Sequence, residues 1–409
     1  VNSAASDAAS QPIWARADAF PSAPAGWGWV DHKSRHHVCE SEEQLLTAIS
    51  EDRDARVILV WTPENPHMIL PEEVPGAISA VLTSRKRTAG ADLTEAHDRL
   101  RWFGFLLGGL CLYLLYQGWV FAPGTATASE RLLFALRVPL RSMSMGITLL
   151  MFLIFAFIPW YQARKRLREC GHWSAGDVAA AVPALRFETW LANQKAPVTR
   201  LMLGLITLVG IAQLLPGDSL RAAALIKPAY FGGEWWRLFT APFLHGNLIH
   251  FMMNAAALLY LGKRMEVFAR WPHVPLVFLF AACVGGEASA RFLTATSVGA
   301  SGGLMGWLGF LLVFESLHGN LVPRSSRRRL IAGVLLTALI GLVGYRFIDN
   351  AAHAGGMLAG MLYAAIVFPK SSSPKRPNST VTDRIAGIAA IAVLAAAAAF
   401  AVLRMVFHG

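Results

Sequence analysis

From about residue 100 onward the chain is a succession of apolar stretches broken by short basic loops. Nine such stretches fall near 102–122, 143–161, 199–215, 248–262, 273–287, 301–314, 330–345, 353–368 and 385–403. Water cannot solvate so much apolar surface, and a single soluble core cannot bury it. Of the 409 residues, 55% are hydrophobic and only 15% are charged. The mean hydropathy of +0.44 is far above that of a soluble chain of this size. The expected class is an all-α polytopic membrane protein. Several stretches are shorter than the ~20 residues a spanning helix usually needs. The short ones include those that open at Ser301 and His353.

The net charge of +11 points to the membrane before it points to nucleic acid, because the basic residues collect in loops. The runs "RKRLR" (164–168), "GKRMEVFAR" (262–270), "RSSRRR" (324–329) and "KSSSPKRP" (370–377) occupy alternate loops. Placing all four inside satisfies the positive-inside rule. The N-terminus is then cytoplasmic and the C-terminus is outside, in a multi-pass protein of the bacterial inner membrane. Arg131, Arg137 and Arg141, in the outer loop 124–142, run against this pattern.

Residues 1–100 read as a small soluble N-terminal domain, α/β in type. "EEQLLTAI" (43–50) has helical spacing and "RVILVW" (56–61) reads as a strand. Two additional spans are expected within 101–165, then a cytoplasmic linker at 166–198. A six-span core at 199–370, a basic loop at 371–384 and one additional C-terminal span at 385–409 complete the division. The opening "VNSAASDAAS" lacks the apolar core of a signal peptide, and the Val1 start is read as a lost or alternative initiator. Cys39, Cys111, Cys170 and Cys283 are scattered and form no disulfide framework. His32, His36, His37 and Cys39 fit no standard zinc spacing and read as a polar, solvated loop.

Ser301 and His353 fall at one depth. With the basic loops inside, both helices enter from the outer face. Fourteen residues separate Ser301 from Glu315 and sixteen separate His353 from Pro369. At ~1.5 Å per residue, Ser301 stands about 21 Å and His353 about 24 Å above the inner edge. Both are submerged in a core ~30 Å thick. Gly299 to Gly303 is expected to approach that depth as non-helical backbone, tolerated only inside protein or beside water. A histidine at this depth is a functional candidate by default. Gly356 and Gly360, four apart, would let the helix of His353 press against that of Ser301. His250 and Asn254, four apart on one helix face, lie at the same outer level, with His245 just before them. They could donate hydrogen bonds to an oxyanion alongside the Ser301 N–H. Asp349 is placed in a solvated outer loop.

Together these motifs resemble the rhomboid family of intramembrane serine proteases. "WWRLFTAPFLHGNLIHFMMN" (235–254) is similar to the family's Trp-Arg loop and its His-x4-His-x3-Asn helix. "GASG" (299–302) is similar to its Gly-x-Ser-Gly, "AHAGGMLAG" (352–360) to its Ala-His-x-x-Gly-x3-Gly, and "YLGKRMEVF" (260–268) also matches. The resemblance covers about residues 199–370. It implies a Ser301–His353 dyad without a carboxylate, an oxyanion site of His250, Asn254 and the Ser301 N–H, and no metal or cofactor. Gly299, Gly302, His245, Trp236, Arg237, Glu266, Met305, Gly356 and Gly360 would lie near the site or support it. Met305 stands where the family usually has an aromatic ring against the catalytic histidine. The implied substrates are single-span membrane proteins in the lipid bilayer, cleaved near the outer face. Two other readings remain open: a proteolytically inactive relative that binds membrane helices for quality control, and a transporter with Gly-interrupted spans.

Overall fold

The computed structural model describes residues 11–408, and the signal-peptide reading of the first ten lies outside them. The protein is mostly helical and resolves into two compact units. One comprises residues 17–189 and 339–348; the other holds residues 190–338 and 349–409, with the extreme N-terminus.

In the first unit a three-stranded antiparallel sheet has the order β2-β1-β3, with β1 Trp27–Val30, β2 His36–Cys39 and β3 Leu59–Trp61. Helix α1 (Glu42–Glu51) begins where the Ser41 side chain accepts the N–H of Gln44, a standard cap. Its Leu45 and Ile49, one turn apart, join Cys39, Val60, Val81 and Val178 in a common core. The loop expected around His36, His37 and Cys39 is a strand. One face of β2 is exposed, so the alternation is that of an edge strand, and the His37 ring stacks on Trp29 with centroids 3.9 Å apart. Among the described residues no three His, Cys, Asp or Glu side chains group to hold a metal. The four cysteines are free.

Helix α2 (Ile78–Val120) passes from this core into the first apolar stretch without a break, so it starts well before residue 102. Helices α3 (Ala128–Arg141), α4 (Met143–Phe152) and α5 (Ile158–Cys170) pack against it. A π-helical turn, Leu153–Phe157, joins α4 to α5. The stretch read as a linker contains a further helix, α6 (Ala175–Asn193).

The second unit is built on α7 (Pro197–Ala212), α11 (Leu248–Phe268), α12 (His273–Phe292), α13 (Ser301–Leu317) and α15 (Asn350–Val367). The chain between α7 and α11 carries the short helices α8 (Ser219–Ala223), α9 (Lys227–Phe231) and α10 (Arg237–Thr240). Helix α14 (Arg324–Val343) opens in this unit, and α16 (Val381–His408) packs on α12, α7, α8 and α10. Helix α13 is buried along nearly all its length between α12 and α15. Such a helix can be apolar on every side.

Each of the nine expected stretches overlaps a helix, though those at 102–122, 199–215, 330–345 and 353–368 run past the helix ends, and 143–161 crosses the π-helical turn between α4 and α5. Among the described residues, five helices are long and apolar enough to cross a membrane, or up to six if the bent pair at 175–212 counts as one span. The others are short or carry charge: α13 has 17 residues, and α14 opens on Arg324, Arg327, Arg328 and Arg329. The protein is an integral, multi-pass membrane protein.

Candidate active site

The site begins with glycines. Helix α13 starts at Ser301, so Gly302 and Gly303 are helical and buried rather than part of a non-helical approach. Only Gly299 and Ala300 lead in. Gly299 has φ +117°, a conformation that an L side chain rarely adopts. A methyl group there would stand 2.7 Å from the His250 ring and 3.5 Å from Asn254 Nδ2. Absence of a side chain therefore lets three elements meet beside Ser301. Two backbone links hold the lead-in. Gly299 N–H donates to Ala241 O at 3.0 Å, and Ser297 exchanges both backbone hydrogen bonds with Leu225, at 3.0 and 3.1 Å.

Close approach of α13 and α15 brings in the histidine. A methyl on Gly356 would lie 2.1 Å from Gly302 O, and one on Gly360 1.8 Å from Gly306 O. Both glycines face the same groove, one helical turn apart, as small-xxx-small packing requires. One turn before Gly356, His353 Nε2 lies 2.9 Å from Ser301 Oγ. Both residues are half-buried. This is the geometry of a nucleophile and its base.

Helix α11 supplies the third side. Asn247 caps it by accepting the His250 N–H at 2.9 Å. His250 and Asn254 then project towards Gly299. Asn254 is only 6% exposed, and its Nδ2 has no hydrogen-bond partner. A buried donor without an acceptor costs free energy; this one points at the lead-in to Ser301. Ser301 opens its helix, so its N–H is among those a helix leaves without an intrahelical acceptor. His245 is buried, its ring edge-on to His250 at 5.2 Å and to Phe251 at 5.3 Å. Neither ring nitrogen of His245 has a partner.

The remaining sequence candidates are spread over the same unit. Trp236 and Arg237 sit at the start of α10. Arg237 donates to Glu234 at 2.6 Å and to Ala224 O at 2.8 Å, and its guanidinium lies 4.6 Å from the Trp236 ring centre. From α16, Arg404 stacks on Trp236 at 5.0 Å and Phe400 meets it edge-on at 5.2 Å. Glu266 is far from the dyad in role. It accepts the N–H groups of Val198 and Thr199, at 3.1 and 2.8 Å, and the Thr199 hydroxyl at 2.8 Å. A carboxylate there caps the positive end of α7. Met305 is half-buried on α13. Phe243 and Leu244 are fully buried beside the turn whose Ala241 holds Gly299.

Asp349 is not a solvated loop residue. It caps α15, accepting the Ala352 N–H at 2.9 Å, and also accepts from the hydroxyls of Ser289, at 2.5 Å, and Ser297. These bonds occupy its carboxylate with a backbone amide and two serines, not the His353 ring. The sequence reading missed Lys227, Ser289 and Ser297 altogether. A lysine within the otherwise apolar "AALIKPAYF" (223–231) was the available signal. At the opposite end, Arg264 and Glu315 form a 2.7 Å ion pair, both side chains 0% exposed, with Ser326 alongside.

The Rhomboid domain family model matches residues 232–370. The chain is 30% identical over 227 residues to Rhomboid protease GlpG of Yersinia pseudotuberculosis, covering 52% of this chain and 76% of that protein. The chain belongs to the rhomboid family. It is also 35% identical over 160 residues to RHOMBOID-like protein 6, mitochondrial, of Arabidopsis thaliana, and 32% identical over 142 residues to Rhomboid protease GluP of Bacillus subtilis. The shares of this chain are 38% and 34%. The matched region spans about half of the plant relative, 51%, and 28% of GluP. Rhomboid proteins carrying the word protease in their names are thus among its relatives.

Proposed function

We propose that the protein is an intramembrane serine endopeptidase that uses a Ser301–His353 dyad. The observation that carries this reading is the 2.9 Å separation of His353 Nε2 and Ser301 Oγ. Ser301 Oγ attacks the peptide carbonyl carbon while His353 Nε2 takes its proton, and the histidine then protonates the leaving amine. Negative charge on the carbonyl oxygen is met by the Asn254 amide, the His250 ring and the Ser301 N–H. The unpartnered Asn254 Nδ2 supports that role, being a donor that lacks an acceptor until an oxyanion forms.

Single-span membrane proteins fit this site as substrates. A peptide bond within a helix has its carbonyl engaged and its backbone shielded, so cleavage requires local unwinding first. The basic loops favour a cytoplasmic N-terminal domain and an outward C-terminus, with cleavage near the outer face and the bacterial inner membrane as the location. The division into a soluble α/β domain, two extra spans, a six-helix core and one extra C-terminal span belongs to the same proposal. An inactive helix-binding relative is the rival, and retention of both dyad residues in hydrogen-bonding reach speaks against it.

The deciding experiment is cleavage of a transmembrane substrate in detergent by the parent chain, Ser301→Ala and His353→Ala, with fluorophosphonate labelling in parallel. Both variants are expected to lose activity while unfolding at the parental temperature. Cleavage near the parental rate by Ser301→Ala refutes the assignment.

A further inference from the structure

A second polar constellation lies next to the dyad, and the chemistry above does not use it. Its members come from four separate elements. Lys227 opens α9 and is 5% exposed. Its ammonium group donates to the Ala295 carbonyl and to Ser297 Oγ. The Ser297 hydroxyl in turn donates a hydrogen bond to Asp349 Oδ2. Ser289, fully buried on α12, donates to the same oxygen and lies 2.8 Å from Ser297 Oγ. The other oxygen, Asp349 Oδ1, accepts the Ala352 N–H in the first turn of α15. Donors and acceptors therefore run in one direction: ammonium to hydroxyl, hydroxyl to carboxylate, and backbone amide to carboxylate.

The spacing gives this chain its consequence. Ser297 stands four residues before Ser301, on the lead-in already tied to Leu225 by two backbone bonds. Asp349 stands four residues before His353 and caps that helix. One carboxylate thus holds both the segment that delivers the nucleophile and the turn that delivers the base. A buried ammonium such as that of Lys227 is costly unless engaged, and the half-buried Asp349 carboxylate closes its chain of hydrogen bonds. The segment around Ser297 is therefore confined to the position where the relay is complete.

We propose that Lys227, Ser297 and Asp349 are positioning residues that fix the Ser301–His353 separation through a shared hydrogen-bond relay. The relay touches neither substrate nor reacting atoms. It rests on the protease reading for its kinetic consequence but not for its structural one. Losing the Ser297 hydroxyl uncouples the two segments, and misplacement of ~1 Å at a reacting centre costs up to about 10²-fold in rate.

The test uses the full chain with Ser297→Ala, Ser297→Thr and Lys227→Met. Ser297→Ala is expected to lower kcat about 10–100-fold with KM little changed, and Ser297→Thr, which keeps the hydroxyl, to restore most of it. Lys227→Met should fall between them, because Ser297 can still reach Asp349. In hydrogen exchange, the amides of Asn350–His353 should exchange faster in Ser297→Ala and at the parental rate in Ser297→Thr. Parental kcat in Ser297→Ala overturns the proposal, as does a loss that threonine does not rescue. If the parent chain itself shows no Ser301-dependent cleavage, the protease reading fails. The exchange measurement then decides the relay alone, and unchanged protection in Ser297→Ala refutes it.

Discussion

Replacing Gly356 with alanine tests whether helix contact sets the chemistry. The added methyl would stand 2.1 Å from Gly302 O. Carbon and carbonyl oxygen ordinarily approach to ~3.3 Å. The helices α13 and α15 must therefore part by roughly 1 Å, since backbone stands on both sides and no side chain can swing away. Ser301 and His353 are the neighbours of this contact, one residue and three residues away in their helices. Their 2.9 Å separation would open towards ~4 Å, beyond hydrogen-bonding range.

Two quantities follow. Overpacking of this kind typically costs about 1–3 kcal/mol of stability. A displacement of about 1 Å at a reacting centre costs up to ~10² in rate. Activity should thus fall further than stability alone explains, and it should fall at temperatures where the variant is fully folded. Unfolding in mild detergent and kcat on a transmembrane substrate measure the two separately. The control is Gly204→Ala on α7, where a methyl would meet nothing within 4 Å. That change should leave the rate untouched and alter stability by no more than ~1 kcal/mol. Parental rate and stability in Gly356→Ala would show that the helices are not in this contact.

Three further outcomes are expected. Asn254→Ala should lower kcat by about 10–10³-fold, up to the loss seen when one oxyanion donor is removed; a loss confined to KM would make Asn254 a substrate-binding residue instead. Ser301→Cys, in a chain whose four native cysteines are replaced, should react with a membrane-impermeant thiol reagent from the outside only, and labelling solely from the cytoplasmic side would invert the topology. Arg404→Ala should destabilise the protein by about 0.5–2 kcal/mol, the range of a cation–π contact, and Arg404→Lys by less; equal stability in all three proteins would mean that the stacking on Trp236 contributes nothing.

The proximity of Ser301 and His353 was legible in the sequence because depth can be counted. Rise per residue and core thickness are nearly constant, so Ser301 and His353 could be matched without any knowledge of packing. The glycines at 356 and 360 then indicated which face of the helix would be shared. Asp349 was misread for the opposite reason. Its partners, Ser289 and Ser297, are small polar residues of the kind that abound in helices and loops, and Lys227 lies more than a hundred residues away in sequence. Nothing in the periodicity of one segment reports a hydrogen bond to another. His36–Cys39 failed similarly: a short edge strand with one exposed face has the composition of a loop, and only pairing with β1 distinguishes it.

The extra C-terminal helix was visible as a span but silent as to purpose. Its register on the core supplies one. Helix α16 packs on α12 and α7 and places Phe400 and Arg404 against Trp236. Trp236 is followed by Arg237, whose guanidinium binds carbonyl oxygens of Arg221 and Ala224, and Ala224 directly precedes the Leu225 that pairs with Ser297. A continuous set of contacts therefore runs from the added helix, through the Trp-Arg pair and the segment at 221–225, to the lead-in of Ser301. The same lead-in carries Ser297, which the carboxylate of Asp349 holds from the side of His353. The loop before Ser301 is thus held from both flanks by residues other than the four proposed for the chemistry.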